Sequence, residues 1–167
     1  NRELACEYGK CFGGGFILYG PPGCGKSFMA EAIAGEAGIK MIRISMADIL
    51  NMYVGNSEKN LKLVFEEARK NSPCIIFFDE IDALGGRRGE MEQRFERSLV
   101  NQFLIEMDRI EKKEEQIVVI GATNMPWVVD NALRRSGRFT NSVFIGPPDH
   151  ETRVALFKLY SERIKMA

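Results

Sequence analysis

The strongest constraint in this sequence is GPPGCGKS at residues 20–27, set between the apolar run FILY and the helix-forming run SFMAEAIAGEA. Gly20, Gly25, Lys26 and Ser27 satisfy the pattern G-x-x-x-x-G-K-[ST], and a strand before it with a helix after it is the context in which that pattern has a mechanism. Glycines let successive backbone N–H groups converge on phosphate oxygens, and the amino end of the following helix adds partial positive charge. Lys26 is spaced to reach the outer phosphates of a nucleotide and the Ser27 hydroxyl to ligate Mg²⁺, with Pro22, Gly23, Cys24 and Phe28 completing the segment that wraps the phosphates. Glycine-rich turns without a ligand are common; the full pattern in this context is not.

A strand, a loop and a helix open an alternating chain. Five β-rich stretches follow one another, at 15–20, 40–45, 74–80, 116–123 and 142–146, mostly continuous in apolar character, as strands covered on both faces are. Helical segments separate them: Lys26 to Ala37; Ser57 to Lys70, with Leu61, Val64, Phe65 and Ala68 in an i, i+3, i+4, i+7 stripe; and Met91 to Ile110, with Phe95, Leu99, Phe103, Ile105 and Met107. The stretch EKKEE, 111–115, reads as a solvated helix end and turn, and 149–167 as one amphipathic helix with Asp149 near its start. The alternation predicts an α/β fold: a five-stranded parallel sheet with right-handed crossovers, helices on both faces and loops gathered at the carboxyl ends of the strands.

Bulk properties narrow the function. A length of 167 residues suits one domain, 1–167, burying roughly 70% of the surface its unfolded chain exposes. Lysine plus arginine equals aspartate plus glutamate at 23 each, so no overall field draws the chain to nucleic acid or an acidic membrane. Cys6, Cys11, Cys24 and Cys74 form no C-x-x-C pair and have no histidine cluster beside them, which predicts free thiols in a reducing compartment. No run approaches the roughly 18 apolar residues of a membrane span, and nothing at the start reads as a signal peptide. The expectation is a soluble cytoplasmic protein, and a chain that opens on Asn1 reads as a piece of something longer.

Chemistry enters where strands end. CIIFFDEID buries its apolar residues and then presents Asp79, placed to hold Mg²⁺ through water, and Glu80, a candidate base for polarising an attacking water. Metal ligation and water activation need separate groups, so the pair argues for hydrolysis; Asp82 reads as a solvated acid. VVIGATNMPW ends in Thr123 and Asn124 at the same sheet edge, where Asn124 either hydrogen-bonds the γ-phosphate or simply forms a turn. ALRRSGRFT sets Arg134, Arg135 and Arg138 before the fifth strand, as an exposed basic turn or as guanidinium groups for charge on a transferring phosphoryl group.

Together and in this order, GPPGCGKS, CIIFFDEID, GATN and LRRSGRF resemble the AAA family of ATPases, in the branch with valosin-containing protein, the proteasomal ATPases, katanin and spastin, over about residues 13–150. ERSLVNQFLIEMD and GPPD strengthen the resemblance. It implies a phosphate-loop NTPase three-layer sandwich, the large subdomain of a ring ATPase without its helical lid, usually hexameric, binding ATP or ADP with Mg²⁺ at subunit boundaries. Gly20, Gly25, Lys26 and Ser27 would then form Walker A, Asp79 and Glu80 Walker B, Asn124 the first sensor, and Arg135 and Arg138 arginine fingers for the neighbouring subunit. MYVGNSEKN falls at the family's aromatic pore loop, so Tyr53 and Val54 would grip a threaded polypeptide; packing of Tyr53 onto the helix beneath is the other reading. GGRRGEME would be a second pore loop with Arg87 and Arg88 against substrate, or a solvated loop. The chain departs from the family at Ser27 for the commoner threonine, at Ser136 and Thr140 in RPGRFD, and at Arg109, where MDG has glycine.

The expected function is Mg²⁺-dependent ATP hydrolysis that drives protein unfolding or complex disassembly in a homo-oligomeric ring, with protein substrates, no nucleic acid and no membrane span. Two other readings stand beside it: a nucleic-acid remodeller with the same engine, and a nucleotide-binding assembly or switch module that hardly turns over.

Overall fold

The computed structural model describes residues 14–51, 56–85, 90–112 and 116–161. Five strands, β1 (Gly14–Tyr19), β2 (Lys40–Ser45), β3 (Cys74–Asp79), β4 (Ile117–Thr123) and β5 (Phe139–Phe144), form one sheet in the order β2-β3-β4-β1-β5. Every pairing is parallel. Helices α1 (Lys26–Ala37), α2 (Met46–Asn51), α3 (Ser57–Lys70), α4 (Glu90–Lys112) and α5 (His150–Ser161) connect or follow the strands, with short 3₁₀ turns at Ile81–Gly85 and Asn131–Arg134. None of the described helices is long and apolar enough to cross a membrane.

The strand pleat explains why the central strands read as unbroken apolar runs. In β3, Ile75 and Phe77 point one way, to a core completed by Ala30 and Ala34 of α1. Cys74, Ile76 and Phe78 point the other way, to a core completed by Met46 and Ile49 of α2, Leu61, Phe65 and Ala68 of α3, and Leu99, Phe103 and Met107 of α4. Both faces are dry, so neither alternate position can be polar. Phe103 meets the rings of Phe65, Phe78 and Phe139 at centroid distances of 5.8, 4.9 and 5.9 Å, the spacing of favourable aromatic pairs. The expected α/β sandwich is the observed one.

Local details depart from the sequence expectation. The fifth strand lies at Phe139–Phe144, not 142–146, and of its residues Phe139 alone is buried. β2 also has no fully buried residue. Both are edge strands, so coverage on both faces holds for β1, β3 and β4 and not for these two. Ile105, expected in the apolar stripe of α4, is 48% exposed. It lies two residues past Phe103, about 200° around the helix, whereas Leu99, Phe103, Met107 and Ile110 share the buried face. Helix α5 buries none of its residues. Its amino end is capped by Asp149, whose carboxylate accepts from Thr152 N at 2.8 Å, and hydrogen bonds from Thr152 hold that carboxyl below its ordinary range. The short helix α2 carries no signal of its own in the sequence, since MADILN is too brief to show a period.

Candidate active site

The carboxyl ends of β1, β3 and β4 meet at one edge of the sheet, and β4 lies between the other two. From β1 the chain enters the phosphate-type loop. Gly20 has φ 153°, and a Cβ there would lie 2.0 Å from the carbonyl oxygen of Ile145, so this close approach admits no side chain. Gly25 caps α1 at φ 88°, in the left-handed region. Helix α1 has no acidic residue in its first turn and no side-chain cap, leaving the orphan N–H groups of its amino end for an anion.

Lys26 is buried at the centre of this loop. Its ammonium donates to Gly20 O at 2.9 Å, Pro21 O at 2.8 Å and Asn124 Oδ1 at 2.6 Å, satisfying its three donors. The last bond reaches from the first residue of α1 to the residue that follows β4, and Gly20 N, just past β1, donates to Thr123 O at 3.3 Å. Ser27 Oγ donates to Asp79 Oδ2 at 3.1 Å. Pro22, Gly23, Gly25, Lys26, Ser27, Phe28, Asp79, Glu80 and Asn124 all line one open hollow of about 340 Å³. Thus nine of the residues predicted from sequence face a common space; Cys24 is half-buried beside it, with Sγ turned to Pro22 O at 3.8 Å.

The donor set suits Mg²⁺ held together with a nucleotide. Ser27 Oγ and Asp79 Oδ2 are adjacent hard oxygens. Among the described residues no group of three His, Cys, Asp or Glu side chains could cage a metal alone. An ion bound through one or two protein oxygens and substrate phosphates requires no such cage. Asp79 Oδ1 accepts from Glu80 N at 3.1 Å, which fixes the carboxylate's rotation. Glu80 itself adopts φ 56°, a strained conformation for a residue with a side chain, of the kind that collects at functional sites. Its carboxylate is exposed and makes no hydrogen bond or ion pair among the described residues.

Three features were missed in the sequence. Arg43 of β2 reaches Asp79 Oδ2 at 3.3 Å and Glu31 Oε1 of α1 at 3.1 Å. The signal was register: Arg43 pairs with Phe77 and Ser45 with Asp79, so Arg43 and Asp79 share the α1 face. Asp82 is not a solvated acid: its Oδ1 accepts from the Thr123 hydroxyl at 2.5 Å, and Thr123 is 1% exposed. Glu106 of α4 is fully buried and accepts from Arg69 of α3 at 2.7 Å, Gln102 at 2.9 Å and Arg109 at 2.9 Å. No local pattern marks an acid for burial; the apposition of α3 and α4 does.

The turn that carries the arginines adjoins the start of β1, and neither Arg135 nor Arg138 lines the hollow. Gly15, near the start of β1, donates its N–H to Arg138 O at 3.0 Å, while the phosphate-type loop leaves the other end of that strand. Arg138 is clasped within its own chain, Nε to Asp108 Oδ1 at 2.8 Å, Nη2 to Asp108 Oδ2 at 3.1 Å and Nη1 to Ala132 O at 2.8 Å. Arg135 is exposed, and its side chain makes no hydrogen bond or ion pair among the described residues. Tyr53, Val54, Arg87 and Arg88 lie outside the described residues.

Comparison with known proteins meets this geometry. The family model "ATPase family associated with various cellular activities (AAA)" matches residues 16–147. Nuclear valosin-containing protein-like from Mus musculus is 44% identical over 144 residues, 86% of this chain and 17% of that protein. Cell division control protein 48 homolog C from Arabidopsis thaliana is 46% identical over 149 residues, 89% of this chain and 18% of its own length. ATP-dependent zinc metalloprotease FtsH 3 from Symbiobacterium thermophilum is 44% identical over 164 residues, 93% of this chain and 25% of its own. The chain thus spans about a fifth of the length of these curated relatives. With its parallel sheet, its glycine loop and the acids at the end of β3, it belongs to the AAA family of ATPases, a family of ATP hydrolases.

Proposed function

We infer that this chain is the ATP-hydrolysing module of a ring-shaped homo-oligomer that unfolds proteins or takes protein complexes apart. The observation that carries the reading is the convergence of Lys26, Ser27, Asp79, Glu80 and Asn124 on one hollow. An outer phosphate entering it replaces neutral carbonyl partners of Lys26 with charged oxygens, a stronger class of hydrogen bond. Asn124, already bonded to Lys26, is within reach of the same phosphate and orients it or the attacking water. Glu80, free of partners among the described residues, accepts the proton of that water as it attacks. Ser27 and Asp79 would hold Mg²⁺, which supplies charge neutralisation between the phosphates.

The position of the arginine turn, by the start of β1, supports the oligomer. Arg138 O meets the start of β1, and the five steps from Gly15 to Gly20 at about 3.3 Å each span about 17 Å, a separation that favours the phosphate of another copy as the target of Arg135. Two different surfaces meeting head to tail close into a ring when the rotation permits. Arg135 is therefore the finger that crosses the boundary, with Arg138 in the same turn. Tyr53 and Val54 are proposed to grip the polypeptide, on the strength of the family resemblance of MYVGNSEKN. Free Cys24 and Cys74 support a reducing compartment such as the cytoplasm.

The test is ATP turnover by the full-length protein and by a mixture of two variants. Glu80→Gln removes the base and should lower kcat by roughly 10²- to 10⁴-fold with nucleotide still bound. Arg135→Ala should lower it by roughly 10³-fold or more. Mixing the two should restore activity, because some boundaries then pair an intact Glu80 site with an intact Arg135. Turnover indifferent to Arg135 and to protein concentration would instead favour the switch-module reading.

A further inference from the structure

We propose that Asp82 is a positioning residue, setting Asn124 against the nucleotide through the buried hydroxyl of Thr123. The proposal rests on the reading of Asn124 as a group that contacts the outer phosphate.

Thr123 ends β4 with 1% exposure, so its hydroxyl must find partners inside the protein. It accepts from Met125 N at 2.9 Å. With that role taken, its own proton goes to Asp82 Oδ1. The Met125 bond spans Asn124 and closes a small turn around it, so the backbone that carries Asn124 is held by the Thr123 hydroxyl, and the hydroxyl by Asp82. Thr123 O also receives Gly20 N, so the same residue abuts the root of the phosphate loop.

Asp82 belongs to the turn that carries Glu80. Ala83 N donates to Glu80 O at 2.9 Å, and this turn is pressed directly onto β4: a Cβ on Gly121 would lie 2.8 Å from Ile81 Cδ1. The missing side chain at Gly121 is what lets the turn close far enough for Asp82 to reach Thr123. One hydrogen bond thereby ties the segment bearing the candidate base to the segment bearing the phosphate contact. A shift of Asn124 by an ångström would disturb the group that distinguishes ATP from ADP, with the loop's hold on the remaining phosphates left in place.

The experiment is a double-mutant cycle on the full-length protein, read in two ways. In steady-state hydrolysis, Thr123→Val and Asp82→Ala should each lower kcat roughly 10- to 100-fold with KM within about 3-fold. Adding Asn124→Ala to either should lower kcat by no more than roughly 2-fold further. Thr123→Ser and Asp82→Asn, which keep the donor and the acceptor, should stay near the parent activity. In binding, with Glu80→Gln present to prevent turnover, the preference for mant-ATP over mant-ADP should fall in Thr123→Val to the value seen for Asn124→Ala. The proposal is overturned if the Asn124→Ala loss multiplies in full on top of the Thr123→Val loss, or if the nucleotide preference is unchanged while the melting temperature falls. If Asn124→Ala alone leaves both kcat and preference intact, the phosphate role of Asn124 fails first and this inference with it; an intact Asn124 effect with no Asp82 effect refutes Asp82 alone.

Discussion

The two arginines that meet Glu106 should differ sharply in what they hold. Glu106 is fully buried; the Arg69 side chain is 23% exposed and that of Arg109 47%. Arg69→Met removes the 2.7 Å charge-assisted bond to Oε2 and leaves a buried carboxylate supported by Gln102 and Arg109 on Oε1. Breaking a buried pair from one side costs about 3–5 kcal/mol, and the surviving donors place this case near 3 kcal/mol. Arg109→Met removes a half-exposed, solvent-screened partner and should cost about 0.5–1 kcal/mol. Combining Arg69→Met with Glu106→Met removes the charge together with its partner and should recover about 2 kcal/mol relative to Arg69→Met alone. At roughly 2–4 °C per kcal/mol for a domain of this size, calorimetry of its unfolding transition should show losses of about 6–12 °C for Arg69→Met and about 1–4 °C for Arg109→Met. Equal losses for the two arginines, or a double variant less stable than Arg69→Met, would refute the reasoning. The outcome bears on function because α4 also carries Asp108, which clasps Arg138 in the arginine turn.

Two further predictions use the phosphate loop. Gly20→Ala puts a Cβ 2.0 Å from a backbone oxygen of Ile145 that no rotamer change can move, so either the loop or the end of β5 must shift. Stability should fall by more than about 1 kcal/mol, and nucleotide affinity, read by titration calorimetry, should weaken with it; an unchanged protein would show that the loop has room. Cys24 should react with N-ethylmaleimide in native protein and be protected by bound nucleotide. Cys74, buried in the core with its thiol pushed up by desolvation, should stay unlabelled until the protein unfolds. Peptide mass mapping reads both, and equal Cys24 labelling with and without nucleotide would separate that thiol from the site.

Much of the site was legible because each part is local. The glycine loop, the Asp79–Glu80 pair and Asn124 each follow an apolar run directly, and parallel strands deliver their carboxyl-terminal residues to one edge whatever the strand order. Arg43, Asp82 and Glu106 were not legible in the same way. Arg43 carries no signal of its own within the apolar stretch 40–45, and Asp82 reads as a solvated acid, because their partners at Asp79 and Thr123 lie 36 and 41 residues away. The β5 boundary was misjudged for a related reason: an edge strand has no second buried face to write into its sequence.

What the sequence determined by itself was the kind of sheet and the residues gathered at its edge, since local apolar runs, helical periods and a strand–loop–helix motif depend on neighbours in the chain. The tertiary structure decided how those pieces act on one another. Placing β4 between β1 and β3 brings Asn124 onto Lys26, and the absence of a side chain at Gly121 lets Asp82 close on Thr123. It also sets Arg138 by the start of the strand whose far end carries the phosphate loop. These are long-range contacts, and their geometry exists only once both faces of the sheet have packed.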